Sequence, residues 1–190
     1  APYVYLGGGR HYFSYAQFAA APGRAGGALG TLANVRRDIA RIRKDADVVI
    51  AIFHSGDRYE RQPKPEFVRY MRAVLDLGTD AVVCHGTHIA GPVEVWRGKP
   101  LLHGVGNYAF GSQNINANFS LLATLFIDVK GKRIRRMEAL PIYANNANFL
   151  IRYQAKVLEA NKAQGVLRQL VSGNNGKGLV IRGNKLVLEL

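Results

Sequence analysis

The sequence predicts an α/β fold with its chemistry at strand ends, and three observations carry that reading. Stretches with apolar residues at helical spacing alternate with short, unbroken runs of β-branched and apolar residues;. Two of those runs stop at a histidine-bearing loop, at His54 and at His85. With 190 residues, 48% of them hydrophobic, the chain has the size and composition to bury a core;.

The elements follow in order. Residues 1–30 read as an irregular lead-in that ends in the Gly/Ala-rich "GRAGGALG". Thr31 is a candidate N-cap for an amphipathic helix, with Leu32, Val35, Ile39 and Ile42 forming its stripe;. "DVVIAIF" (47–53) is a continuous apolar run, the pattern of a strand buried on both faces;. "KPEFVRYMRAVLDLG" (64–78) is a second helix, opened by Pro65, striped by Phe67, Met71, Val74 and Leu75, and ended by Gly78;. "TDAVVC" is a second buried strand, begun by Asp80 at the end away from His85. Two short strands flank "RGKP", and two longer ones flank Lys130-Gly131-Lys132;. The strand-helix core thus spans 31–143. Residues 144–190 add a helix within 153–171, stopped by Gly173, and a hairpin turning at Gly183-Asn184;. The whole reads as one domain, or as the C-terminal part of a larger one.

The formal charge of +13 points to anionic partners: phosphate groups, acidic polymers, nucleic acid or an anionic membrane surface;. Nucleic acid ranks last, because helix-turn-helix, zinc-finger and RNP-like patterns are missing. No run of apolar residues is long enough for a membrane span. The opening residues lack a basic segment followed by an apolar one, so no secretory leader is expected within them;. The single cysteine, Cys84, excludes an internal disulfide. As it lies in a strand beside His85, the two side chains point to opposite faces, which argues against a thiolate-imidazolium pair. Gly7-Gly8-Gly9 lacks the G-K-[ST] and the helix of a phosphate loop;.

His54, His85 and His88 all fall just after apolar runs, where loops converge and imidazole is a common neutral metal ligand;. Gly56 and Gly86 beside them permit close backbone approach;. A hydrolytic two-metal site also needs carboxylates to balance its charge. Only 13 acidic residues are present, and those nearest in sequence, Asp57, Glu60 and Glu94, lack a strand-end Gly-Asp or Asn-His context. On this reading the histidines form half a site.

These residues, from "DVVIAIFHSGDRY" through "LDLGTDAVVCHGTHIAGPVEVWRGKPLLHGVGNYAF", resemble the second half of bacterial CapA/PgsA-type proteins of capsule and poly-γ-glutamate synthesis. Those proteins belong to the calcineurin-like metallophosphoesterase superfamily. The matching positions are His54 and Gly56, Gly78 and Asp80, the series His85, Gly86 and His88, the turn Gly98-Lys99-Pro100, and Gly106-Asn107. The chain departs from the pattern at Cys84, where the family has Gly, at Thr87 for Pro, at Ser55 for Trp, and at Arg58 for an acid. The family's N-terminal Gly-Asp, Asn-Leu-Glu and Asn-Asn-His motifs have no counterpart in this sequence.

The resemblance implies the C-terminal half of a metallophosphoesterase-like αββα sandwich. It implies divalent metal ions (Mn, Fe, Zn or Mg) held by His54, His85 and His88, with His85 in the catalytic role. Asn107, His103 and Arg58 are placed in the substrate or phosphate pocket. It further implies an anionic polymer or phosphoester substrate, a complementary N-terminal half or partner chain, and a place in the bacterial cell envelope. The function expected is a metal-dependent hydrolase of capsule or related envelope polymer processing when complete. The alternative is a non-catalytic polyanion-binding domain with a degenerate metal site.

Overall fold

Helix α1 (Leu32–Ile42) begins where the Thr31 hydroxyl accepts a hydrogen bond from the Asn34 amide, satisfying one of the unpaired donors of its first turn;. The computed structural model of the chain describes residues 3–6, 9–12, 19–109, 114, 117–145, 151–152, 154–171 and 177–190. Within the expected lead-in it contains a hairpin, β1 (Tyr3–Leu6) against β2 (Gly9–Tyr12), paired from Tyr3↔Tyr12 to Leu6↔Gly9. The short aromatic and β-branched alternation around glycine is a hairpin pattern that the composition of residues 1–30 as a whole conceals.

The first sheet is built from β3 (Ile50–His54), β4 (Ala81–His85), β5 (Val93–Trp96) and β6 (Lys99–Leu102), in the order β3-β4-β6-β5. β3 and β4 run parallel, as do β4 and β6, while β5 and β6 form the antiparallel hairpin around Arg97-Gly98. Helix α2 (Pro65–Asp76) crosses between β3 and β4 and ends at Gly78, whose φ of +109 only glycine adopts readily;. Met71, Val74 and Leu75 of α2 pack on Val82, Cys84 and Leu101, with Val35 of α1 and Phe53 at the margin. One face of the first sheet is thus covered by α1 and α2.

The second sheet has the order β10-β11-β8-β7, formed by β7 (Phe119–Asp128), β8 (Arg133–Tyr143), β10 (Leu179–Arg182) and β11 (Lys185–Glu189), with the short β9 (Lys156–Val157) beside β8. Its inward face, including Leu121, Met137, Ala139, Leu186 and Leu188, shares a core with Val93, Leu102 and Val105 of the first-sheet side. Helix α3 (Ala160–Leu170) contributes Leu167 and Leu170 to that same core, so it covers the inner face of the second sheet beside the first sheet. The proposed stop at Gly173 lies outside the described residues.

Two expectations change here. β3 is not buried on both faces: Ile52 is 66% exposed and Ile50 37%. It is the edge strand of its sheet, and a continuous apolar run cannot reveal whether a neighbour exists on its far side;. For the same reason the α1 stripe is only partly covered, with Ile39 buried but Leu32 and Ile42 exposed. Asp80 does sit at the start of β4. There its Oδ2 accepts from the Val49 amide at 2.8 Å and pairs with Arg43, tying the strand starts together far from the histidines.

Candidate functional site: paired histidines at parallel strand ends

His54 closes β3 and His85 closes β4, and the two are direct register partners. In a parallel ladder such partners sit about 4.8 Å apart and project to the same face, here the face turned away from α1 and α2. The ladder continues one step further, where the Ser55 amide donates to the His85 carbonyl at 2.8 Å. Two glycines make this tight approach possible. Gly86, at φ +99, leaves room that a Cβ would take 3.1 Å from Ser55 N and 3.3 Å from the His54 ring. Gly56, at φ +111, faces the Thr87 side chain in the same way. Burial, and secondarily His54, push the pKa of His85 below the usual imidazole value, so His85 stays neutral and keeps a nitrogen lone pair near neutral pH;.

His88 follows three residues later at φ +64, in the left-handed region;. Its Nδ1 donates to Asn107 Oδ1 at 2.9 Å and its ring lies 5.7 Å from that of Tyr59. In the neutral tautomer this leaves the lone pair on Nε2, which is how an outer oxygen orients a ligating histidine. Asn107 is buried, and its Nδ2 has no partner among the described residues. A buried, unspent amide donor beside the histidines is suited to an anionic oxygen. The loop carrying Asn107 joins the two sheets, since Val105 N donates to Cys84 O and Leu121 N to Val105 O.

His103 occupies a different setting. With Glu94 it is almost fully buried, each 3% exposed, and its Nε2 meets Glu94 Oε2 at 3.0 Å. Arg72 of α2 reaches the other carboxylate oxygen at 2.7 Å while its guanidinium lies 4.5 Å over the Trp96 ring. This triad is on the helix-covered side of the sheet, where His103 approaches Phe67. Burial lowers the pKa of His103 in spite of the opposing pull of Glu94. The sequence reading missed the triad, although a glutamate inside the apolar "VEVW" was a signal of a buried partner;. Arg58 lies in the exposed turn after His54. Cys84 is buried against Met71, its Sγ 3.6 Å from the thioether, and burial raises its thiol to about 12, which removes it as a nucleophile;.

A groove of about 1260 Å³ runs along the free edge of β3, between residues 26–30, α1 and α2, past Ile50 and Ile52 to His54 and Gly56; His103 lines it too, whereas His85, His88 and Asn107 lie outside its lining. Donor chemistry decides whether the site suits a divalent cation. Paired neutral imidazoles do. Of the three acids nearest the histidines in sequence, Asp57 is paired with Lys64 at 3.0 Å, Glu94 is held by Arg72 and His103, and Glu60 lines the groove without joining a cluster around them. Among the described residues, no group of three or more His, Cys, Asp or Glu side chains is placed to share one ion. The residues fit part of a metal site.

An α/β domain with two sheets bridged at a histidine-bearing end is the class that fold and site define. Residues 9–112, more than half of the chain, match the family described as bacterial capsule synthesis protein PGA_cap, and the chain belongs to that family. Its fold is of the metallophosphoesterase-like kind. The chain is 28% identical over 138 residues to the PGA biosynthesis protein CapA of Bacillus subtilis, covering 72% of this chain and 34% of that protein. It is 29% identical over 66 residues to the capsule biosynthesis protein CapA of Bacillus anthracis, covering 35% and 16%. Over 115 residues it is 24% identical to a Mycobacterium tuberculosis protein named "Probable polyglutamine synthesis accessory protein", covering 57% and 30%. The chain therefore spans about a third of the length of these relatives, or less.

Proposed function

We propose that this chain supplies the histidine part of a metal-dependent hydrolase site that processes an anionic polymer of the bacterial envelope, of the poly-γ-glutamate or phosphoester kind. The observation that carries the reading is the register pairing of His54 with His85 at level strand ends, with His54 lining a large groove and the Asn107 amide, unspent among the described residues, beside His88. A divalent ion held there would polarise an anionic oxygen and acidify a bound water. The chain's own groups do the rest: His54 and His85 hold the ion, His88 is oriented by Asn107, and the Asn107 Nδ2 donates to the substrate oxygen. Carboxylate ligands come from a complementary segment or chain. Without them a second ion would meet repulsion of about 4 kcal/mol per unit-charge pair at 4 Å in an effective dielectric of 20.

The expected result is that the purified chain binds at most one weak equivalent of Mn²⁺ or Zn²⁺ by calorimetry. Its cleavage of an activated phosphodiester should be no faster than that of His54→Ala. Supplying a segment that bears the Gly-Asp and Asn-His motifs raises both stoichiometry and rate. Robust metal-dependent turnover by the chain alone, abolished in His54→Ala, would overturn the half-site reading. The +13 charge favours a second reading, a polyanion-binding domain without catalysis. In that case polyglutamate binding persists unchanged in His54→Ala and no added segment produces turnover.

A further inference from the structure

The β7–β8 hairpin projects an apolar tip ringed by cations, on the side of the molecule away from the histidines. Alternation along β7 places Leu121, Ala123 and Leu125 toward the core, and Ile127 is next in that series. A register shift between Phe126 and Ile127 breaks it, leaving Ile127 47% exposed;. Val129 at the tip is 83% exposed. Around these two stand Lys130, Lys132, Arg133 and Arg135, all exposed. The acid of the turn is spent locally: Asp128 Oδ1 accepts from the Lys130 and Gly131 amides at 3.1 and 3.0 Å. The tip leans on the segment after α1 through Lys132 and Asp47, 3.0 Å apart. The last turn of α1 and the residues after it add exposed Arg41, Ile42 and Lys44 to the same end, against Asp45.

We infer that this hairpin docks the protein on an anionic lipid surface, Val129 and Ile127 entering the headgroup boundary while the surrounding lysines and arginines meet lipid phosphates. A water-soluble polyanion would need the cations and gain nothing from two exposed aliphatic side chains at their centre. A charged membrane surface uses both, since interfacial binding sums apolar burial and attraction to anionic headgroups. The geometry also fixes an orientation. Asp47 precedes the start of β3 and His54 ends it, so a protein seated on this hairpin holds its histidines away from the bilayer. The inference is independent of the metal-site reading.

Vesicle flotation of the 190-residue chain tests it. Binding is expected to equimolar phosphatidylcholine and phosphatidylglycerol vesicles, to weaken with salt, and to be absent with phosphatidylcholine alone. Lys130→Glu with Lys132→Glu lowers the partition coefficient by about 30-fold or more. Val129→Ser, which leaves the charge unchanged, lowers it by about tenfold. A charge-matched control, Lys156→Glu with Lys64→Glu, stays close to wild type, because Lys156 pairs with Tyr143 at the other end of β8 and Lys64 pairs with Asp57 in the turn after His54. All these positions are exposed, and circular dichroism verifies the fold of each variant. Three results would each overturn the inference: no binding to the anionic vesicles, equal loss in the control pair, or wild-type binding by Val129→Ser. The last would assign the surface to a soluble polyanion.

Discussion

Gly86→Ala is the substitution that most directly tests the geometry joining His54 to His85. At φ +99 an alanine pays for a backbone conformation outside the usual allowed regions, about 1–3 kcal/mol;. Its Cβ would also stand 3.1 and 3.2 Å from the Ser55 backbone N and O, and 3.3 Å from the His54 ring. Backbone cannot swing aside as a flexible side chain can, so about 1 kcal/mol or more of crowding adds to the first cost. The sum is about 2–4 kcal/mol, a large share of the 5–15 kcal/mol that typically separates folded from unfolded chains. At about 2–4 °C per kcal/mol for a chain of this size, the midpoint of thermal unfolding should fall by roughly 5–15 °C. Gly98→Ala is the internal reference. It has a positive φ of +78 in the β5–β6 turn, but an added Cβ meets nothing within 4 Å among the described residues, so it carries the conformational cost alone. Calorimetry of the three proteins separates the two contributions. If Gly86→Ala and Gly98→Ala unfold within a degree or two of one another, the close packing of the two histidine loops is refuted.

Gly165→Ala should stabilise the fold by about 0.5–1 kcal/mol, since Gly165 is inside α3 and an added methyl meets nothing within 4 Å among the described residues, a gain visible as a higher urea midpoint;. Glu94→Ala leaves the buried His103 and the half-buried Arg72 without their carboxylate and should cost about 3–5 kcal/mol by the same assay;. Stability should also decline as pH falls through and below about 6.5, because His103 and His85 take up protons more readily in the unfolded chain than in the folded one;. Urea titrations at pH 7.5 and 5.5 check the sign, and equal midpoints, or a higher one at pH 5.5, would contradict it.

Local periodicity made much of this architecture legible. The helices at 32–42 and 65–76, the strands closing at His54 and His85, the paired strands around Lys130-Gly131-Lys132 and the final hairpin all follow from spacing and turn residues. What the sequence did not disclose is what depends on neighbours far along the chain. "DVVIAIF" reads the same in the middle of a sheet and at its edge, and only the strand order shows Ile52 unpacked. His103 and Glu94 are nine residues apart in sequence. Their meeting depends on the antiparallel register that sets Glu94 against Leu101, and on Arg72 arriving from another element. The pairing of His54 with His85 was easier to anticipate, because consecutive βαβ strands of similar length tend to end level.

The exposed margin of β3 has a consequence for how the isolated chain behaves in solution. Its last ladder position offers a row of backbone donors and acceptors next to Ile50 and Ile52, and among the described residues no strand pairs with that side. Such a margin is a template onto which any extended segment, including the same strand of another molecule, can add by main-chain hydrogen bonding. The strand itself, Ile-Ala-Ile-Phe-His, carries no formally charged gatekeeper and no proline;. What opposes self-association is then long-range repulsion between molecules that each bear +13, a force that fades as ionic strength shortens the Debye length;. The colloidal stability of this chain is therefore inverted with respect to salt: dilute buffer keeps it dispersed, and the screening that ordinarily calms a basic protein removes its protection.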